Sequence, residues 1–121
     1  MARPEPTLKK LRWVGSAKKD LLGMPRRVKR KVGFALYLAQ TGDKHPAAKP
    51  LRGFGSAGVL EVVEDFQSDA YRAVYTVRLT HAVYVLHCFK KKSVKGAQTP
   101  RPDLDLIRAR LQAAERMDRE A

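Results

Sequence analysis

Arg72, His87, Lys91 and Lys92 have side-chain types that could do chemistry on an anionic group such as a phosphate. A guanidinium presents a planar fork that matches two phosphate oxygens, so Arg72 suits the stabilisation of charge on phosphorus. Lys91 and Lys92 can stabilise negative charge or exchange protons. His87 shares strand parity with Phe89 and Lys91, and an imidazole in that row can serve as base or acid. The same histidine can equally be a satisfied strand residue with no chemical task.

These residues need a sheet to bring them together. Two β-prone runs, Tyr71 to Leu79 and Ala82 to Phe89, are separated by Thr80 and His81, and the second empties into Lys90, Lys91 and Lys92. Val, Tyr, Thr and Phe are frequent across the two runs and neither contains Pro or Gly, which predicts a hairpin near the centre of the sheet. Alternation puts Arg72, Val74, Thr76 and Arg78 on one face, and Tyr71, Ala73, Tyr75, Val77 and Leu79 on the other. The second of these faces is expected to be core, and the first to carry the two arginines. An earlier strand is expected at Val59 to Phe66. A turn over residues 67–69 would set Phe66 against Ala70, Glu64 against Arg72 and Glu61 against Tyr75, so that Glu64 could orient Arg72.

Charge narrows the class of partner. The 121 residues hold 25 Lys and Arg against 12 Asp and Glu, a net charge of +13, which favours a polyanion such as nucleic acid or an anionic membrane. Residues 1–60 carry 14 basic and 3 acidic residues, whereas residues 99–121 carry 5 of each, so the basic surface belongs to the first half and the lysine cluster. Lys49, Arg52, Arg78 and Lys90 are the candidate nucleic-acid contacts. No apolar run approaches the roughly 20 residues of a membrane span, and the first residues lack an apolar leader core, so a soluble cytoplasmic protein is expected. The one cysteine, Cys88, forms no intrachain disulfide, and three scattered histidines give no His-x₃-His pair. No metal or small-molecule cofactor is expected.

The remaining chain supplies the scaffold, read as one domain of 121 residues. Leu8 to Val14 reads as a first strand, Ser16 as the N-cap of a short helix over Ala17 to Leu22, and Pro25 as the opening of a longer helix. Val28, Val32, Ala35, Leu36 and Ala39 form an apolar stripe on that helix, with Arg26, Arg27, Lys29, Arg30 and Lys31 around its other side. Those five cations are either a solvated face or a phosphate grip. Thr41 to Gly58 is a Gly- and Pro-rich connector whose glycines could admit a phosphate between Lys49 and Arg52 or could form a flexible linker. It matches neither a Walker loop nor a dinucleotide fingerprint. Asp103 is placed as the cap of a last helix to about Arg119, whose stripe of Leu104, Ile107, Leu111, Ala114 and Met117 should pack on the sheet. The expected architecture is α+β, in the order β-α-α-β-β-β-α, with a mainly antiparallel sheet against helices.

At this order of elements, and in GVLEVVEDFQSDAYRAVYTV followed by YVLHCFKKKSVKG, the chain resembles the HigB-like, phage-associated toxins of the RelE/ParE superfamily. Lys49-Pro50-Leu51 with Gly53, Glu61, Tyr71-Arg72 with Tyr75, and Phe89 before Lys91-Lys92-Ser93 carry the likeness. The resemblance implies a small RelE-like fold and a toxin that enters the ribosome and cuts mRNA, paired with a cognate helix-turn-helix antitoxin. Metal-independent RNA cleavage uses the RNA's own 2′-hydroxyl as nucleophile. The protein must then supply a base, an acid for the leaving 5′-oxygen and cations for the pentacoordinate phosphate. Some members of the superfamily use a histidine and an acid near the C-terminus. Here that end offers Glu115, Asp118 and Glu120 but no His or Tyr. A ParE-like inhibitor of DNA gyrase on the same fold, and a noncatalytic nucleic-acid-binding module, are the competing functions.

Overall fold

The computed structural model describes residues 7–92 and 99–121. Its elements are β1 (Lys10–Trp13), α1 (Ala17–Leu22), α2 (Arg26–Gln40), β2 (Lys49–Pro50), β3 (Val59–Phe66), β4 (Asp69–Thr76), β5 (Ala82–Lys92) and α3 (Arg101–Arg119). The strands form one five-stranded sheet in the order β1-β5-β4-β3-β2. Neighbours run antiparallel except β1, which lies parallel to β5. The architecture is the mixed α+β, mostly antiparallel arrangement that the hydrophobic patterning predicts, with a further short strand. Lys49 and Pro50 leave the connector to pair with Glu61 and Leu60.

Both faces of the sheet are covered, because the two helical stripes need apolar partners. Val28, Val32, Ala35, Leu36 and Ala39 of α2 join Ala17 and Leu21 of α1 against Val62, Ala73, Tyr75, Val83, Val85 and Cys88. Burying each valine or leucine there contributes about 1.5–3 kcal/mol. On the opposite face Ile107 and Ala114 of α3 pack on Val59, Val74, Tyr84, Leu86 and Phe89. The face of β4 that carries Arg72 is therefore also core over much of its length. Arg72 itself is only 13% exposed in its side chain.

Several local expectations are corrected. The β3–β4 turn has two residues: Phe66 faces Asp69, with Gln67 and Ser68 both at positive φ (49° and 71°). That twist matches the twist of the flanking strands, as in a type I′ hairpin, but Gln-Ser lacks the Asn-Gly signature that would announce it. The register consequently moves by one, so Arg72 faces Val63, Glu64 faces Tyr71 and Glu61 faces Val74. Second, Ser16 makes no side-chain cap; its hydroxyl donates to Asp20 at 2.7 Å. Third, Pro100 occupies the cap position of α3, which leaves Asp103 inside the first turn with its carboxylate directed to β5. β4 also stops at Thr76 rather than Leu79, while β5 runs on to Lys92.

One irregularity decides where the chemistry-bearing residues of β5 point. Val74 faces His87 but Tyr75 faces Val85, so Leu86 is an extra residue, a β-bulge. Two residues then oppose one, and Leu86 and His87 both turn toward α3. Strict alternation from Val83 and Val85 would have sent His87 to the α2 side. Arg110 fastens the bulge, donating to the Leu86 carbonyl at 2.8 Å and, through its other nitrogen, to Ser16 Oγ at 3.1 Å.

Candidate functional site

A cleft of about 850 Å³ opens where the α3 face of the sheet meets the glycine-rich loop after β2. Lys49, Arg52, Glu61, Arg72, Thr99 and Arg108 contribute its polar lining. The sheet register explains how they meet. Lys49 faces Glu61 across β2 and β3, and Arg72 faces Val63 next along the same side, so Glu61 and Arg72 are diagonal neighbours. Arg72 Nη1 donates to Glu61 Oε2 at 3.3 Å and to Thr99 Oγ1 at 3.3 Å. The guanidinium is thus oriented by Glu61 instead of Glu64. Glu64 turns to the other face, 3.5 Å from Lys31 and 3.7 Å from Arg27 of α2. Part of the basic face of α2 is therefore engaged in ion pairs.

The glycine-rich loop follows from backbone geometry. Gly53 has φ of +97°, a conformation that costs a side-chain-bearing residue energy, and it lets the chain turn back toward β3. Leu51 N–H donates to the Val59 carbonyl at 2.9 Å, which ties the start of the loop to the strand. Arg108 reaches over from α3. Its guanidinium stands 5.0 Å from the centroid of the Phe54 ring, and its Nη2 donates to the Gly53 carbonyl at 3.5 Å.

Of the residues singled out in the sequence, Lys49, Arg52 and Arg72 come together in this cleft. Lys91 lies on the same face of β5 as Phe89, diagonal to Arg72, and is half-buried, but it does not line the cleft. His87 is held elsewhere in the same row. Its Nε2 is 2.8 Å from Asp103 Oδ1, its ring stacks on Phe89 at 4.5 Å between centroids, and Arg110 Nη1 approaches Nδ1 at 3.4 Å. A guanidinium only donates, so Nδ1 accepts and Nε2–H points at Asp103. His87 therefore joins the start of α3 to the bulge.

Lys90 points to the opposite face, 3.9 Å from Asp69. Arg78 sits beyond the other end of β4, donates to the Ser56 carbonyl at 2.7 Å and lines a separate hollow with Lys9 and Lys44. The structure does not bring either of them to the cleft. The side chain of Lys92 lies outside the described residues. Tyr75 and Tyr84 are buried, as is Cys88, whose thiol is pushed up to about 12 by burial and then by the charge of Asp20.

Sequence reasoning missed Arg108, because residues 99–121 carry five charges of each sign and α3 reads as a neutral packing helix. It also missed the part played by Asp118. That carboxylate accepts from the backbone N–H of Thr80 (2.9 Å) and His81 (2.8 Å) and from the Tyr84 hydroxyl (3.0 Å). It clamps the end of α3 onto the β4–β5 turn. Among the described residues there is no group of three His, Cys, Asp or Glu side chains able to hold a metal, and no helix is long and apolar enough to cross a membrane.

A mixed sheet clasped between two helical layers, with a cationic cleft on the α3 side, defines a small α+β protein. The family model of phage-derived, Gp49-like proteins (DUF891) matches residues 19–112, which run from within α1 to most of α3 and include every cleft residue named above. The chain belongs to that family. No curated protein and no solved structure matches it.

Proposed function

We propose that this protein is the toxin of a toxin–antitoxin pair and that its cleft binds and cleaves single-stranded RNA, as a ribosome-dependent mRNA endoribonuclease. The observation that carries the reading is the convergence of Lys49, Arg52, Arg72 and Arg108 around one carboxylate, Glu61, in a cleft with an arginine already oriented. Membership of the Gp49-like family, which is associated with RelE/ParE-like toxins, supports it.

In this reading the RNA supplies the nucleophile. Glu61 takes the proton of the 2′-hydroxyl as that oxygen attacks phosphorus, and Arg72 neutralises the charge that builds on the equatorial oxygens. The bond from phosphorus to the 5′-oxygen then breaks, and a proton from the cationic end of β5, where Lys91 sits, satisfies the leaving oxygen. The products are a 2′,3′-cyclic phosphate and a 5′-hydroxyl. Lys49 and Arg52 draw the neighbouring phosphates along the cleft wall.

Primer extension on a reporter mRNA tests this, in cells induced to make the protein or its Arg72→Ala variant, with translation running and with initiation blocked. Cleavage inside codons that requires both translation and Arg72 is the expected result. Growth arrest with intact mRNA would move the reading to gyrase inhibition, and cleavage that survives Arg72→Ala would sink the mechanism.

A further inference from the structure

Arg108 is the one cleft cation supplied by α3, and its surroundings differ from those of the other three. Its guanidinium carbon stands 5.0 Å from the centroid of the Phe54 ring, and the side chain is nevertheless 50% exposed. Its nearest carboxylate, Asp105, is 3.9 Å away and itself 64% exposed, so that pair is screened and holds the group weakly. The ring and the Gly53 carbonyl orient it instead. A guanidinium seated over an aromatic ring and half exposed still offers a planar surface to solvent, and Arg108 lines the cleft together with the residues suited to phosphate. Such a face is a stacking surface for a nucleobase, because guanidinium planes and bases pair through dispersion and cation–π attraction.

We infer that Arg108, backed by Phe54, forms a base-stacking platform in the cleft, so that one nucleobase of a single-stranded RNA lies on the guanidinium while Lys49, Arg52 and Arg72 hold the flanking phosphates. This rests on the nucleic-acid reading of the cleft and adds to it the position that senses a base. Phe54 is half-buried against the α3-side core, which fixes the ring and through it the plane of Arg108. The conservative change to lysine keeps the charge and discards the plane.

The test uses the full chain and short 2′-O-methyl oligoribonucleotides, in which the nucleophile is blocked so that binding is read without cleavage. A series with an abasic residue at each position in turn is compared with the intact oligonucleotide. The wild-type protein should lose about tenfold in affinity at one position of the series. A 2-aminopurine placed there should be quenched on binding. Arg108→Lys should abolish both the quenching and the base preference while binding the abasic oligonucleotide within about twofold of wild type. Phe54→Leu, which keeps apolar bulk, should weaken the same preference. Wild-type indifference to every abasic position overturns the inference, as does a preference that Arg108→Lys retains. Arg72→Ala separates the two levels: it should weaken binding of intact and abasic oligonucleotides alike, and if it weakens neither, the nucleic-acid reading itself fails.

Discussion

Arg72 Nη1 meets Glu61 Oε2 at 3.3 Å although Glu61 sits two residues along β3 from Val63, the residue that faces Arg72. The contact is diagonal, and it exists because the hairpin turn holds two residues instead of three. It places the proton acceptor and the phosphate-binding cation of the proposed reaction within one arm's length of each other.

If Glu61 accepts the 2′-hydroxyl proton, Glu61→Gln should lower the rate of mRNA cleavage by about a hundredfold, within the range for loss of a general base. Arg72→Lys should not rescue an Arg72→Ala loss, because an ammonium cannot hold Glu61, Thr99 and a phosphate in one plane. Single-turnover cleavage on programmed ribosomes measures both. Unchanged rates for Glu61→Gln would transfer the base to another group.

Arg110 is a fastening for the bulge. Arg110→Ala removes charged donors from the Leu86 carbonyl and Ser16, which should cost about 1.5–3 kcal/mol. Arg110→Lys should recover little of this, since one ammonium cannot span both acceptors. Denaturant titration reads the loss, and full stability in Arg110→Ala would show that the bulge holds itself.

The Asp118 clamp should be sensitive to acid. Burial works to raise its pKa, but donation from the His81 and Thr80 backbone and from the Tyr84 hydroxyl outweighs this and holds it below the usual 3.8. A depressed carboxylate stabilises the fold above its unfolded pKa, and that contribution disappears as pH falls through the folded value. Asp118→Asn should therefore lower Tm at pH 7, and the gap from wild type should close as the pH falls below about 4. A gap that is independent of pH would mean that shape, and not charge, makes the clamp.

Tyr75 carries a liability. The residue is 1% exposed and its hydroxyl has no hydrogen-bond partner among the described residues, so Tyr75→Phe should stabilise the protein by about 1 kcal/mol. Burial pushes its pKa up to about 12. A phenol whose folded pKa lies above its unfolded value near 10 keeps its proton only in the native state, so stability present below pH 10 is lost as pH climbs toward 12. Tyr75→Phe should flatten that alkaline decline in a thermal melt, and a variant less stable than wild type would point to a partner for the hydroxyl.

Much of the scaffold is legible in the residues themselves. The stripe from Val28 to Ala39 and the alternation in Val59 to Phe66 each state a period, and each element forms over the expected residues because local propensity and burial agree. Lys49, Arg52 and Arg72 could likewise be singled out, since positive charge beside glycines and on a β-prone run is visible without a fold. What the tertiary structure alone decided was register and facing. A turn one residue shorter exchanged Glu64 for Glu61 as the partner of Arg72, and a single extra residue at Leu86 swung His87 toward Asp103 and Arg110. Side chains on a strand alternate with a period of two, so a shift of one residue reverses every face. Composition has no memory of that parity. Arg108 and Asp118 were hidden for a related reason: a helix with balanced charges shows no excess to read, and only its docking onto the sheet gives one charge to the cleft and the other to a turn.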